Sequence, residues 1–261
     1  MGVALALICL CFTEVEAKIV TKTVAYKQDG TVMQGFLAYD EDLQGKRPGV
    51  LVVHEWWGLN DFARERAVKL AGLGYVALAA DMYGGGATTG DRQEAGKLAG
   101  ALLSNPDLLR ARARAALTVL AADPRVDPQR LAAIGFCFGG TTVLELAYSG
   151  ADLARVASFH GGLPKARPDD LKRIKAAVLV LHGADDPHVA PADIAAFEQA
   201  MRQAGVDWQM VFFGGAVHSF TNPAAGNNPA AGIAYDPRAA RRSWRYLREF
   251  FREIWRVKGR D

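Results

Sequence analysis

Residues 19–27 and 31–39 alternate apolar and polar side chains on either side of Asp29-Gly30, the pattern of two half-buried strands joined by a tight turn. After that hairpin the pattern changes. Val50-Leu51-Val52-Val53 is an unbroken apolar run, as a strand covered on both faces requires. Similar short runs recur at 76–80, 131–136, 156–159, 177–181 and 208–213. Among them, residues 62–73, 92–103, 108–122, 140–148 and 194–204 carry apolar positions at helical spacing. Alternation of this kind predicts an α/β protein: a mainly parallel central sheet with helices on both faces, entered through an N-terminal β-hairpin. A last helix is rich in arginine, with Arg241, Arg242, Arg245, Arg248, Arg252 and Arg256 flanking a stripe of Trp244, Leu247, Phe251 and Ile254. That spacing predicts a helix whose stripe packs on the sheet while its charges stay in water.

The chain of 261 residues is 50% hydrophobic and 23% charged, with a formal charge of +3. Such a length suits one α/β core, expected over residues 18–261, and so small a net charge leaves no nucleic-acid footprint. Residues 3–12 form an apolar run too short to span a bilayer, followed by the small-residue pattern Val15-Glu16-Ala17. This predicts a signal peptide over residues 1–17 and export to the periplasm or medium, although no Lys or Arg precedes the run. The alternative is an ordinary buried N-terminal segment in a cytoplasmic protein. Cleavage after Ala17 would remove Cys9 and Cys11 and leave Cys137 alone, with no intrachain disulfide to form. A lone thiol in an oxidising compartment is a liability unless it is sheltered or used.

Ile134-Gly135-Phe136-Cys137-Phe138-Gly139-Gly140 joins a strand pattern to a helical one through small residues around one nucleophile. It has the form of a nucleophile elbow, G-x-Nuc-x-G, with cysteine as the nucleophile. The turn is tight enough that the residues two before and two after the nucleophile must be small. The helix start behind it offers free N–H groups and positive dipole character to a developing oxyanion. Other predicted strand ends also carry chemistry: His54-Glu55-Trp56-Trp57, His182-Gly183-Ala184-Asp185-Asp186-Pro187-His188 and Gly215-Ala216-Val217-His218. Nucleophile, acid and histidine thus occur in the chain order of α/β-hydrolases, each just past a strand, where such sheets bind ligands. A thiol needs a base within hydrogen-bond reach, and His218 can be that base. A carboxylate on its other ring nitrogen would fix the tautomer. Asp185 and Asp186 both stand in position; the Asp-Pro step favours Asp186 and leaves Asp185 as a cap or loop residue. His54, His160, His182 and His188 lack metal-ligand spacing and read as structural, so no metal or other cofactor is expected. Trp56 and Trp57 either line an acyl pocket or pack in the core. Residues 221–235 form a long loop beside His218, of the kind that becomes a lid or pocket wall.

The motifs H-E-W-W-G-L-N, D-M-Y-G, G-F-C-F-G-G, H-G-A-D-D-P-H-V and H-S-F, spread over residues 18–257, resemble those of the dienelactone hydrolase (carboxymethylenebutenolidase-like) family of α/β-hydrolases. The resemblance implies Cys137 as nucleophile, His218 as base, Asp186 as its orienting carboxylate and Glu55 as a glutamate that contacts the resting thiol. It also implies an oxyanion hole from the backbone N–H groups of Phe138 and Trp56. A carboxylate beside a thiol would oppose ionisation and hold the thiol protonated until substrate arrives. Read from the residues alone, Glu55 can equally be a structural acceptor for loop N–H groups. Family enzymes hold the dienelactone carboxylate with two arginines; Arg92 matches one, and Asn222 stands where the other would be. With half of that clamp, a neutral ester fits as well as a charged one. Trp57 and Tyr83 complete the expected substrate contacts.

A thiolate suits enol lactones, aryl esters and thioesters, whose leaving groups depart as readily as sulfur; an amide does not. The expected partner is therefore a small-molecule ester or lactone, taken by a monomer or weak homo-oligomer. Two other classes compete: a non-catalytic binding protein of the same fold, and a thiol redox or sensor protein using Cys137. The ordered triad opposes the first. The lack of a C-x-x-C pair or a resolving cysteine opposes the second.

Overall fold

A computed structural model describes residues 17–255. The apolar run at 3–12, the cleavage motif up to residue 16 and Arg256 lie outside the described residues. The first half of the chain comprises β1 (Ile19–Gln28), β2 (Thr31–Asp40), β3 (Arg47–Val53), α1 (Asp61–Gly72), β4 (Val76–Ala80), α2 (Arg92–Leu103) and α3 (Pro106–Ala122). Then follow β5 (Val126–Phe136), α4 (Phe138–Tyr148), β6 (Arg155–Phe159), α5 (Pro168–Leu171), β7 (Ala177–Gly183), α6 (Pro191–Ala204), β8 (Trp208–Phe213) and α7 (Pro237–Arg252). The eight strands form one sheet in the order β1-β2-β4-β3-β5-β6-β7-β8. The hairpin β1–β2 is antiparallel and joins β4 antiparallel, while β3 to β8 run parallel. This is the α/β-hydrolase arrangement expected from the sequence.

Alternation along each strand divides the core between the two faces of the sheet. Leu51, Val53, Leu78, Val178 and Val180 face the side covered by α2, α3, α4 and α6. Val50, Val52, Ile134, Leu179 and Leu181 face the side covered by α1 and α7. Val50 to Val53 are all fully buried, which is why that strand carries no polar alternation.

Several boundaries differ from the sequence expectation, each for a local reason. The helices expected from 108 and 194 begin earlier, at Pro106 and Pro191, because proline's fixed φ and missing N–H suit a first helical turn. β5 starts at Val126 rather than 131: Arg47 and Pro48 pair with Val126 and Asp127 before the register shifts at Gly49. α5 is a single turn, too short for periodicity to mark; buried Arg110 holds its Asp170 through two hydrogen bonds of 3.1 and 2.7 Å. The stripe on α7 also needs correction. The helix ends at Arg252, so Ile254 turns outward and is 42% exposed, while Phe250 and Trp255 complete the buried face.

The turn from β5 to α4 is the tightest point of the sheet. An added Cβ at Gly135 would run into Gly139 O, and one at Gly139 would run into Val53 O. Both obstacles are backbone and cannot swing aside. Gly139→Ala should therefore lower stability by about 1–3 kcal/mol, the usual cost of overpacking a filled interior, or abolish folding. Urea titration checks this, and a midpoint equal to the parent's would contradict it.

Candidate active site

Cys137 sits in that turn with φ +54° and ψ −117°, outside the ladder of β5 and before the first residue of α4. Its N–H is shared between Phe159 O at 3.0 Å and His160 Nδ1 at 3.2 Å. α4 begins at Phe138, two residues earlier than its sequence pattern suggested, so the helix start lies directly behind the sulfur. Strain gathers at this place. Of four described non-glycine residues with positive φ, Cys137, His160 and Ser219 lie at the site, and only Asp29 is elsewhere.

The loops after β7 and β8 bring two more side chains to the thiol. His218 Nε2 is 3.1 Å from Cys137 Sγ, and His218 Nδ1 is 2.8 Å from Asp186 Oδ2. A carboxylate only accepts, so Nδ1 carries the hydrogen and Nε2 faces the sulfur. The other oxygen of Asp186 accepts the His188 N–H at 2.8 Å, while Asp185 is exposed. Backbone bonds from His218 N to Gly232 O and from Ala234 N to His218 O fix the base loop against residues 232–234. Burial opposes a charge on His218, but Asp186 and the sulfur outweigh it and raise its pKa to about 10. Asp186 is held below the usual carboxylate range: burial works against the charge, and the hydrogen bond from His218 overcomes it.

Glu55 differs from the thiol-contacting role the resemblance implied. It is 1% exposed; its oxygens accept from Ser219 Oγ at 2.9 Å and from the Asn222 amide. Burial raises its pKa, against the pull of those two hydrogen bonds. Asn222 is likewise occupied, since its carbonyl accepts the Ala224 N–H at 2.9 Å. Asn222 borders the cavity, and its amide is hydrogen-bonded to Glu55 and within its own turn.

Neither the Phe138 nor the Trp56 backbone N–H has a hydrogen-bond partner among the described residues. On the far side of Trp56, its carbonyl accepts the Tyr83 hydroxyl at 2.8 Å. Tyr83 is buried beneath this loop, outside the cavity lining, and its hydroxyl supports Trp56. His54 lies under the same loop. Met82 N–H donates to its Nε2 at 3.3 Å, so its Nδ1 hydrogen goes to Glu55 O. Burial lowers its pKa to about 4 and keeps it neutral.

The thiol opens into a cavity of about 470 Å³ walled by Trp56, Trp57, His188, His218 and Ile233, with Arg92 at its exposed edge. Trp56 and Trp57 meet at 4.8 Å between ring centroids and form an apolar wall, the pocket alternative of their sequence reading. The loop of 221–235 supplies Asn222, Ala224, Ala225 and Ile233 to the opposite wall and contains two short 3-10 turns, Pro223–Ala225 and Pro229–Ala231. A larger groove of about 630 Å³ between β8 and α7 contains none of these residues. Among the described residues no cluster of three or more His, Cys, Asp or Glu is placed to hold a metal ion, and no helix is long and apolar enough to cross a membrane.

Four residues of the site had no catalytic or substrate-binding role assigned from sequence. His160 and His188 lack metal-ligand spacing and read as structural; one accepts the Cys137 N–H and the other packs edge-on to His218 at 5.0 Å. Ser219 and Thr221 were hidden by their ordinary chemistry; their nearness to His218 was the one available signal.

The profile of the Dienelactone hydrolase family matches residues 33–255. The chain belongs to the dienelactone hydrolase family. Two solved structures each cover 91% of it and 99% of themselves at a TM-score of 0.88. One is m3DLH, 48% identical; the other, 44% identical, is the dienelactone hydrolase-like promiscuous phosphotriesterase P91 from metagenomic libraries. Protein usf of Aquifex pyrophilus is 28% identical over 88% of this chain and 97% of its own length. This member of the dienelactone hydrolase family is accordingly a hydrolase of that type, with esters or lactones as its substrate class.

The raised pKa of His218 has a consequence for stability. Folding increases its proton affinity, so the contribution is complete below the unfolded value of about 6.5 and is lost as pH rises through about 10. Asp186→Asn should lower the thermal midpoint by several degrees near pH 6, with the gap to the parent shrinking toward alkaline pH. Thermal melts across that range check it; a gap that widens with pH would contradict the assignment.

Proposed function

We propose that this hydrolase cleaves activated carboxylic esters or lactones with Cys137 as nucleophile, His218 as general base and acid, and Asp186 as the orienting carboxylate. The observation that carries this reading is the unbroken chain Asp186–His218–Cys137 at 2.8 and 3.1 Å, opening on an apolar cavity. With the proton on His218 Nε2, where the raised proton affinity of the imidazole holds it, the sulfur attacks the carbonyl carbon, forming the C–S bond as the π pair moves to oxygen. The unpaired N–H groups of Phe138 and Trp56 serve the oxyanion, with the start of α4 behind the first. Collapse breaks the bond to the leaving oxygen, which takes the proton from His218 and leaves a thioester. Water then attacks with His218 as base, and the acid departs, leaving the sulfur and the protonated imidazole as they began.

The cavity adds a preference. Arg92 is the one arginine or lysine among the described lining residues, and Asn222 stands in place of a second. Neutral aryl esters and enol lactones therefore suit it better than a dienelactone whose carboxylate needs two. A second reading, phosphotriester cleavage by the same thiol, draws on the 44% identity to P91. In it phosphorus replaces the carbonyl carbon and an aryloxide leaves.

A panel of an aryl acetate, a neutral enol lactone, a carboxylate-bearing dienelactone and an aryl phosphotriester tests both readings. Cys137→Ala should lose roughly 10⁴-fold or more in kcat on every member that the parent turns over. The lactone is expected to exceed the dienelactone in kcat/KM. Equal activity of parent and variant would remove Cys137 from the chemistry. Inertness of the parent toward all four would favour a binding protein of this fold.

A further inference from the structure

On top of the thiol–imidazole chemistry proposed above, we infer that His160, acting with Thr221, is a positioning residue that couples the turn bearing Cys137 to the loop bearing His218. His160 follows β6 directly, between the ends of β5 and β7, and is completely buried. Its Nδ1 accepts the Cys137 N–H at 3.2 Å. The lone pair must therefore lie on Nδ1 and the hydrogen on Nε2, which donates to Thr221 Oγ1 at 2.7 Å. Thr221 stands three residues after His218 in the same loop. One neutral imidazole thus reaches the nucleophile's own peptide on one side and the base's loop on the other.

The backbone supports the same conclusion. His160 has φ +39° and precedes Gly161-Gly162. A glycine at 160 would relax that strain but would lose both hydrogen bonds. Strain at a non-glycine residue, of order 1–3 kcal/mol, persists where surrounding contacts over-determine it. Here they do. The His160 N–H binds Leu181 O at 2.9 Å, and the ring packs edge-on against Phe220 at 5.1 Å and His218 at 5.5 Å.

The coupling matters because Cys137 Sγ and His218 Nε2 belong to separate loops that must meet at 3.1 Å. A misplacement of about 1 Å in such a pair costs on the order of 100-fold in rate. The Thr221 hydroxyl also fixes the tautomer. Without it the hydrogen can move to Nδ1, where it would oppose the Cys137 N–H, donor against donor. The strained turn would then lose one of its two acceptors.

Four variants separate positioning from bulk structure. Thr221→Val keeps shape and removes the acceptor, and Thr221→Ser restores it. His160→Asn keeps an acceptor near the place of Nδ1 but does not reach Thr221. The double variant His160→Asn/Thr221→Val measures whether the two residues act as one unit. Each is compared with the parent in kcat and KM on an aryl acetate, in the rate of Cys137 alkylation by iodoacetamide at fixed pH, and in thermal midpoint. Thr221→Val should lose roughly 10- to 100-fold in kcat and in alkylation rate, with KM within about twofold. Thr221→Ser should recover both, and the double variant should be no slower than His160→Asn alone. Parental kcat and alkylation in Thr221→Val overturn the inference, as do losses that multiply in the double variant or a fall in thermal midpoint without a fall in rate. Cys137→Ala is run beside them. If it stays active, the thiol mechanism falls, while alkylation of the other variants, which needs no substrate, still decides the coupling.

Discussion

A reactive side chain can stand clear of a buried sheet only if the backbone beneath it takes a shape that side chains resist. In this hydrolase that shape is the left-handed turn at Cys137, and much of the surrounding structure answers its demands. Gly135 and Gly139 let β5, α4 and the end of β3 approach within backbone contact. The Cys137 N–H, belonging to neither strand nor helix, needs an acceptor and finds two in Phe159 O and His160 Nδ1. Strain of this kind is stable because the turn sits in a sheet packed on both faces.

Four histidines at strand ends show how local partners decide charge. His54, His160, His182 and His218 all feel burial as the leading influence, and it lowers the pKa of the first three. His218 alone is raised, because Asp186 and the sulfur lie on its two ring nitrogens. His54 and His160 act instead as directed hydrogen-bond bridges. His54 links the loop after β3 to the loop after β4, and His160 links β6 to the loop after β8.

The same loops are tied by a second polar link. Glu55 accepts from Ser219 and Asn222, so the peptide of Trp56 and the loop of His218 are joined through a buried carboxylate. An unpaired carboxylate there would be costly, which explains why the Asn222 amide turns inward instead of into the cavity. The cavity carries apolar surface from Trp56, Trp57, Ala224, Ala225 and Ile233, with Arg92 at its edge.

By itself the sequence determined the α/β class, nearly every strand and long helix, the elbow at Cys137, and the order of nucleophile, acid and histidine. These features are encoded locally: apolar runs are contiguous, helical stripes repeat within a few turns, and a tight turn demands small residues at its own positions. Tertiary structure decided where Glu55 and the Asn222 amide make their hydrogen bonds, and that Tyr83 holds Trp56 from below. It also decided that His160 and Thr221 meet, 61 positions apart in the chain. A hydrogen bond needs a distance of about 3 Å and a direction, and neither exists until the sheet brings the ends of its strands together.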